Sequence, residues 1–280
     1  MTNRPLIQKA SGEYEPFDPE KLQSSLQRAG AGEKIAKEIA SDILNWIEDG
    51  VSTRKIYGRA FRLLRKKRRS TAARYSLKKA IMELGPSGYP FEHFVGHLFE
   101  FLGYTVEVGQ TVNGQCVTHE VDVVATKGKE QHLVECKYHN SQGKFSSVQV
   151  PLYIRSRVND IMETRLKLPE FSGFTFYGWI VTNTRFTSDA SDYGRCSGLN
   201  LISWDYPRGR SLKELTEQYN AYPVTALTHL TKAHKQYLLK NEVVICRELA
   251  RKLEILEALQ LSEHKHKKVV AEINELCDWQ

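Results

Sequence analysis

His119-Glu120-Val121-Asp122-Val123-Val124-Ala125, followed after a short turn by Leu133-Val134-Glu135-Cys136-Lys137-Tyr138, decides how the centre of this chain folds. Two apolar runs bounded by turn residues predict adjacent buried strands. Each carries charge where a buried strand ordinarily has none. Asp122 stands among Val121, Val123 and Val124, while Glu135 and Lys137 are two apart and so share a face. A buried charge is costly unless it is paired or holds a metal. Two carboxylates and one ammonium on neighbouring strands make a candidate divalent-cation site with a lysine beside it, which is the chemistry of metal-assisted phosphodiester hydrolysis. Asp122 and Glu135 offer two hard oxygens and the Cys136 carbonyl a third, a set suited to Mg2+ (or Mn2+), which keeps several waters. Lys137 would orient or deprotonate the attacking water, or neutralise the scissile phosphate. The competing reading is a structural Asp–Lys or Glu–Lys ion pair. One charged pair would favour it; three groups on two apolar strands do not. Glu120 shares the Asp122 face.

Outward from these strands, residues 89–210 predict an α/β unit. A helix over 90–102 is followed by a strand over 105–109, the two charged strands, and a helix over 146–166 opened by a Ser146–Gln149 capping-box pattern. A strand over 174–182, a helix over 188–195 and a strand over 199–203 complete it. Such alternation predicts a mixed, largely buried sheet flanked by helices. Gly85-Pro86-Ser87-Gly88 marks the boundary with a mainly helical N-terminal segment, 1–85. That segment predicts two small strands (Ile7-Gln8-Lys9 and Tyr14-Glu15-Pro16-Phe17) and a helix capped by Asp18 with Pro19 in its first turn. Three more helices follow: one over 33–48, one capped by Ser52-Thr53, and one capped by Ser70. Residues 223–280 predict a helical C-terminal region. Its stretches Leu227–Leu239 and Leu249–Leu261 resemble helix-hairpin-helix units, with no glycine at the turn.

The 280 residues suffice for two or three cores, and the formal charge is +7. Charge is uneven: residues 50–82 hold twelve Lys/Arg and no Asp/Glu, densest at Arg65-Lys66-Lys67-Arg68-Arg69. Such a block attracts polyanions, and its plain alternative is a solvated helix face. Five scattered cysteines without a Cys-x-x-Cys argue against a disulfide framework or structural zinc and for a reducing cytoplasm. No apolar run approaches a membrane span, and Met1-Thr2-Asn3-Arg4-Pro5 lacks a signal-peptide core, so no membrane partner is expected.

The order Phe91-Glu92, Leu102-Gly103-Tyr104, Glu120-Val121-Asp122-Val123, Val134-Glu135-Cys136-Lys137-Tyr138-His139, Val181-Thr182-Asn183-Thr184-Arg185-Phe186-Thr187 and Gly198-Leu199-Asn200-Leu201-Ile202 resembles the PD-(D/E)xK nucleases, in particular the Mrr-type restriction endonucleases. The motif's proline is replaced here by Val121. The resemblance implies a restriction-endonuclease-like α/β fold and a Mg-dependent deoxyribonuclease of the type II or type IV restriction kind. Its catalytic residues would be Asp122, Glu135 and Lys137, joined by Glu92 as the first-helix acid and Gln149 of a Gln-x-x-x-Tyr element ending at Tyr153. The plain alternatives are a solvent-facing Glu92, a capping Gln149 and a core Tyr153.

Gln8-Lys9-Ala10-Ser11-Gly12 and Glu15-Pro16-Phe17-Asp18-Pro19-Glu20-Lys21-Leu22 resemble an ATP-cone, with Lys9-Ala10-Ser11-Gly12 in place of the family's Lys-Arg-x-Gly. This implies a regulatory domain over 1–85 that takes ATP or dATP, with Lys9 and Lys21 as the nucleotide-binding cations. The leading expectation is a nucleotide-regulated DNA endonuclease of restriction or genome defence. Because one site cuts one strand, it would act as a homodimer or by sequential nicking. A nucleotide-sensing DNA-binding regulator with an inactive nuclease fold is the alternative. A third reading is an assembly protein whose basic helices meet an acidic partner.

Overall fold

The computed structural model describes residues 4–9, 11–141 and 143–277, which divide into two compact units. Residues 1–3, Ala10, Gln142 and 278–280 of the segments read above lie outside the described residues.

The first unit opens with β1 (Leu6–Gln8), antiparallel to β2 (Tyr14–Pro16). The turn between them is closed by Lys9 N donating to the Glu13 carbonyl at 2.8 Å. Asp18 caps α1 (Pro19–Arg28) by accepting from Glu20 N at 2.9 Å and Lys21 N at 3.3 Å, as the Asp-Pro pair predicts. α2 (Glu33–Trp46) buries Ala36, Ile39, Ala40 and Ile43 on one stripe. β3 (Val51–Ser52) adds a parallel strand beside β1; two residues are too few for a periodicity to announce. Ser52 then caps α3 (Thr53–Lys67). The next predicted helix is different in the structure. Arg68 is extended and serves as the first residue outside both α3 and α4 (Arg69–Tyr75), so Ser70 is buried inside the helix rather than capping it. Ser76 ends α4 by bonding back through its N and Oγ to the carbonyls of Ala72 and Ala73, each at 3.0 Å.

The second unit takes residues 78–225 and 232–260. It begins within α5 (Leu77–Met82) and α6 (Tyr89–Phe101). Its five-stranded sheet has the order β10-β8-β6-β5-β4. β4 (Thr105–Asn113), β5 (Thr118–Lys127) and β6 (Glu130–Lys137) are antiparallel neighbours. β4 extends four residues beyond the predicted strand. Gly109, at φ +65°, interrupts the ladder opposite Asp122 without shifting the register, which resumes at Gln110↔Val121. β7 (Phe145–Ser146) precedes α7 (Gln149–Arg165). Ser146 is therefore a buried strand residue bonded to His139, not the cap of α7, whose flanking residue Val148 makes no side-chain cap. β8 (Thr175–Thr182) lies parallel to β6, and β9 (Arg185–Phe186) pairs with β7 in a small second sheet. α8 (Ser188–Cys196) and β10 (Asn200–Ile202) close the predicted α/β pattern. α9 (Leu212–Gln218), with a Ser211–Glu214 capping box, and α10 (Lys232–Lys240) and α11 (Cys246–Arg251) complete the unit.

α6 packs on β4, β5 and β6, burying Phe91, Phe94 and Phe99 completely, while Ile154, Val158 and Ile161 of α7 meet Val124, Leu133 and Ile180. Each such side chain contributes about 1.5–3 kcal/mol of burial. The result is a mixed α/β sheet flanked by helices, of restriction-endonuclease-like type.

α12 (Glu263–Cys277) belongs to the first unit, where it packs against α4. Its Glu272, 3% exposed, accepts from Thr228 N at 2.8 Å, Thr228 Oγ1 at 2.7 Å and His229 N at 3.1 Å. The segment from 223 onward is thus shared: 226–231 and 261 onward go to the first unit, the rest to the second. Residues 249–261 form a short helix and a 3-10 turn (Leu253–Leu259), not one arm of a helical hairpin.

Candidate active site

The β5–β6 ladder ends at Val123↔Val134, and one step further Asp122 stands across from Glu135. The two carboxylates share the sheet face on which Leu133 and Val124 meet α7. Asp122 Oδ2 accepts from Cys136 N at 2.6 Å. In a strand a residue's N–H and C=O point to the same side, so the Cys136 carbonyl is directed toward β5 as well. The Cys136 thiol points to the other face and is buried, and that burial pushes it well up, so it remains a neutral thiol. Lys137 Nζ lies 3.4 Å from Glu135 Oε1 and is 42% exposed, available to a ligand from solvent.

α7 brings a residue that the strand pattern did not announce. Arg157 donates to Glu135 Oε2 at 2.5 Å, to the Glu120 carbonyl at 3.0 Å and to the Tyr153 hydroxyl at 2.9 Å, with its guanidinium 4.9 Å over the Tyr153 ring. Its Nε is buried without a hydrogen-bond partner among the described residues. The available signal was spacing: Gln149, Tyr153 and Arg157 recur every four residues along one helix stripe. Tyr153 is exposed rather than a core residue. Gln149, the first residue of the helix, is also exposed and makes no hydrogen bond to the carboxylates.

The site carries surplus negative charge. Burial first, and then the neighbouring Glu135, push the Asp122 carboxyl up to about 7; Glu92 adds to this, while the Cys136 amide and Arg157 oppose it. Glu92, in the first turn of α6, is raised in turn by burial and by Glu120 and Glu135. So Glu92 belongs to the same electrostatic cluster, although no hydrogen bond joins it to Asp122 or Glu135. Among the described residues, no three His, Cys, Asp or Glu side chains form a metal cage by themselves. Two carboxylates, a backbone carbonyl and waters are nonetheless what a hard divalent ion takes. The buried, like-charged pair is the kind of donor set such an ion relieves. The residues present therefore fit Mg2+ or Mn2+, which Asp122, Glu135 and the Cys136 carbonyl could hold.

Buried polar residues hold the chain beyond Lys137. Thr182 Oγ1 donates to the Lys137 carbonyl at 2.7 Å, and the Asn183 amide clamps His139, accepting from its N at 2.8 Å and donating to its O at 2.9 Å. On the other side of the site, Asp160 of α7 ties down the β4–β5 hairpin through His119 at 2.7 Å and Cys116 N at 2.8 Å.

An uncharacterised protein of Archaeoglobus fulgidus is 32% identical to this chain over 179 residues, 64% of this chain and 97% of that protein. The chain belongs to that protein's family. Within it, residues 5–82 match the ATP cone domain, residues 85–206 a restriction endonuclease domain, and residues 222–277 the AF1548-like C-terminal domain. The crystal structure of AF1548, a protein of unknown function, is similar with a TM-score of 0.56 and 31% identity, covering 69% of this chain and all of that one. A slighter likeness, TM-score 0.31 and 15% identity over 60% of this chain and 40% of the other, is to the MspJI restriction endonuclease in complex with a 27-mer oligonucleotide.

The ATP-cone's two expected cations are placed apart in role. Lys9 is paired with Glu15 at 2.9 Å and lies 3.8 Å from Glu13, and its ammonium is raised by the hydrogen bond to Glu15. Lys21 lines a cavity of about 230 Å3 together with Glu15, Asp18, Ile7, Phe17 and the Tyr57–Tyr75 pair, whose rings stack at 4.8 Å. The apolar and aromatic wall fits a planar base. One lysine between two carboxylates does not fit three phosphates.

Proposed function

We propose that this protein is a metal-dependent DNA endonuclease that hydrolyses phosphodiester bonds, with a role in restriction or genome defence. The observation that carries the reading is the Asp122–Glu135–Lys137 arrangement. Two neighbouring carboxylates on buried strands share a face with an accessible ammonium 3.4 Å from one of them, inside a restriction-endonuclease-like domain. Bound to Asp122, Glu135 and the Cys136 carbonyl, a divalent ion would supply Lewis-acid charge and an activated water. Lys137 Nζ would donate to that water or to a non-bridging phosphate oxygen and compensate the charge that develops there. Arg157 holds Glu135 from the helix side, and Asp122 is oriented by the Cys136 amide. Glu92 would reach the ion through water, and Gln149 and Tyr153 would meet the substrate from the start of α7.

The test is plasmid cleavage by the purified chain with Mg2+ or Mn2+, on methylated and unmethylated DNA, beside Lys137→Ala. The variant is expected to lose about a hundredfold or more of the cleavage rate, the scale of removing one transition-state charge donor. Equal cutting by both proteins would overturn the assignment. Nicked product at low protein concentration, giving way to linear product as it rises, is expected of a homodimer.

One observation favours a second reading, the DNA-binding regulator with an inactive nuclease fold. Glu135 is already paired twice, with Arg157 and Lys137. Tight DNA binding with no cleavage under either metal would select it. An adenine nucleotide as regulator is proposed to bind through its base. ATP, ADP and adenosine should then shift thermal unfolding alike, whereas a strong preference for ATP would contradict this mode.

A further inference from the structure

On α3 of the first unit, Arg54, Lys55, Arg62, Arg65, Lys66 and Arg68, the last just past its end, are all exposed, and none forms an ion pair among the described residues. Four lysines elsewhere pair at i,i+4: Lys37 with Glu33, Lys213 with Glu217, Lys252 with Glu248 and Lys267 with Glu263. On α3 only Arg59 and Lys67 are paired among the described residues, with Asp42 and Glu38 of α2. Arg62 faces Arg65 and Lys66 at i+3 and i+4, where like charges repel. The cations at the end of the helix gain from its dipole, but Arg54 and Lys55 stand in the first turn, where the dipole opposes them and no acidic residue offsets it. A solvated face has no need of this arrangement; a face that meets a polyanion does.

The geometry selects the kind of polyanion. Arg54 to Lys66 spans about 18 Å at 1.5 Å per residue, and at 3.6 residues per turn these cations fall within about a third of the helix circumference, one band facing a stretch of regularly spaced charge. Arginines predominate in it, and their planar forks match phosphate oxygens. The aromatic side chains of the helix are already engaged, Tyr57 stacked on Tyr75 and Phe61 under the Arg65 guanidinium. On this helix no platform is left for unpaired bases, which single-strand binders use. We propose that this face of α3 binds the phosphate backbone of duplex DNA, so that the first unit is a DNA-anchoring module in its own right, independent of the nuclease site.

The test uses the full chain in EDTA, so that no cleavage is read and an inactive nuclease would leave the outcome unchanged. Binding of a fluorescent duplex of about 30 base pairs is followed by anisotropy from about 50 to 300 mM NaCl. Arg54→Gln/Lys55→Gln/Arg62→Gln/Lys66→Gln is compared with Lys37→Gln/Lys213→Gln/Lys252→Gln/Lys267→Gln, which removes the same charge from paired lysines. Circular dichroism confirms that each is folded. The α3 variant is expected to bind about tenfold more weakly at 100 mM salt, with a slope of log affinity against log salt shallower by about two or more, at roughly 0.9 per lost phosphate contact. Arg62→Gln/Lys66→Gln alone should give about half that slope change, which keeps the comparison should the fourfold variant unfold. Equal slopes for the α3 and control variants would overturn the proposal. So would an α3 variant that loses poly-L-glutamate binding while keeping its affinity for the duplex, the mark of an acidic protein partner.

Discussion

Asp122 is the residue on which stability and chemistry pull in opposite directions. Its folded carboxyl is raised by burial and by Glu135 from an ordinary 3.8 to about 7. A raised carboxyl holds its proton more tightly in the folded state. Its contribution to stability is therefore greatest below the ordinary value, and it is lost as pH rises toward 7. Above that pH the folded protein carries a carboxylate its surroundings disfavour. Asp122→Asn keeps an acceptor for the Cys136 amide and removes the charge. It is expected to raise the thermal midpoint by a few degrees at pH 8 and to change it little at pH 4, while abolishing metal-dependent cleavage. An equal effect at both pH values would show that charge burial is not the cause. Arg157 works the other way. It supplies the buried countercharge to Glu135, with both side chains less than one-fifth exposed. Arg157→Met should cost about 2–3 kcal/mol in urea unfolding, below the roughly 3–5 kcal/mol of a fully orphaned buried ion because Glu135 keeps the half-exposed Lys137, and Arg157→Lys should cost less.

Elements meet through charges of their own. His97 of α6 lies 2.8 Å from Glu100 and 3.4 Å from Glu248 of α11. Burial works against the charged imidazole, but the hydrogen bonds it donates to both carboxylates outweigh it and raise His97 above 6.5. Burial likewise opposes the Glu248 carboxylate, yet His97 and Lys252 hold it down to about 2. A raised histidine contributes stability in full below its unfolded value and loses it as pH climbs through the folded one. A lowered carboxylate contributes above about 4.5 and loses it as pH falls toward 2. The α6–α11 joint should be strongest between about pH 4.5 and 6.5. The thermal midpoint of the protein is expected to fall between pH 6.5 and 8.5 by more than that of His97→Gln; parallel curves would show that the joint does not titrate. The element patterns were legible where side chains signal locally. The Asp18 cap and the α2 stripe formed as the sequence implies. Ser146 misled because it lies in β7, whose pairing with β9 two-residue runs do not announce, and its hydroxyl meets His139.

At the scale of the whole molecule, the segment beyond 222 serves both units: α10 and α11 complete the second, and 226–231 with α12 complete the first. Removing residues 223–280 is therefore expected to loosen both units, measured as lost amide protection in α4 as well as in α6. Loss confined to one of them would mean that the other stands without this segment. The +7 charge and the acid-free stretch 50–82 also belong to this scale, since they predict a polyanion partner without specifying where it docks.

By itself the sequence determined what local periodicity and residue identity can encode. Alternation and turn residues placed the charged strands, the spacing of Glu135 and Lys137 put them on one face, and the order of motifs implied the nuclease-like core and the ATP-cone. The tertiary structure alone decided which distant groups complete that arrangement. It brought Arg157 onto Glu135 from a helix 22 residues away, left Gln149 in solvent, paired Lys9 with Glu15 and returned α12 to the first unit. The physical reason is that a period or a cap is written in neighbouring residues. An ion pair across two elements depends on the backbone path between them, and its partners look ordinary in their own segments.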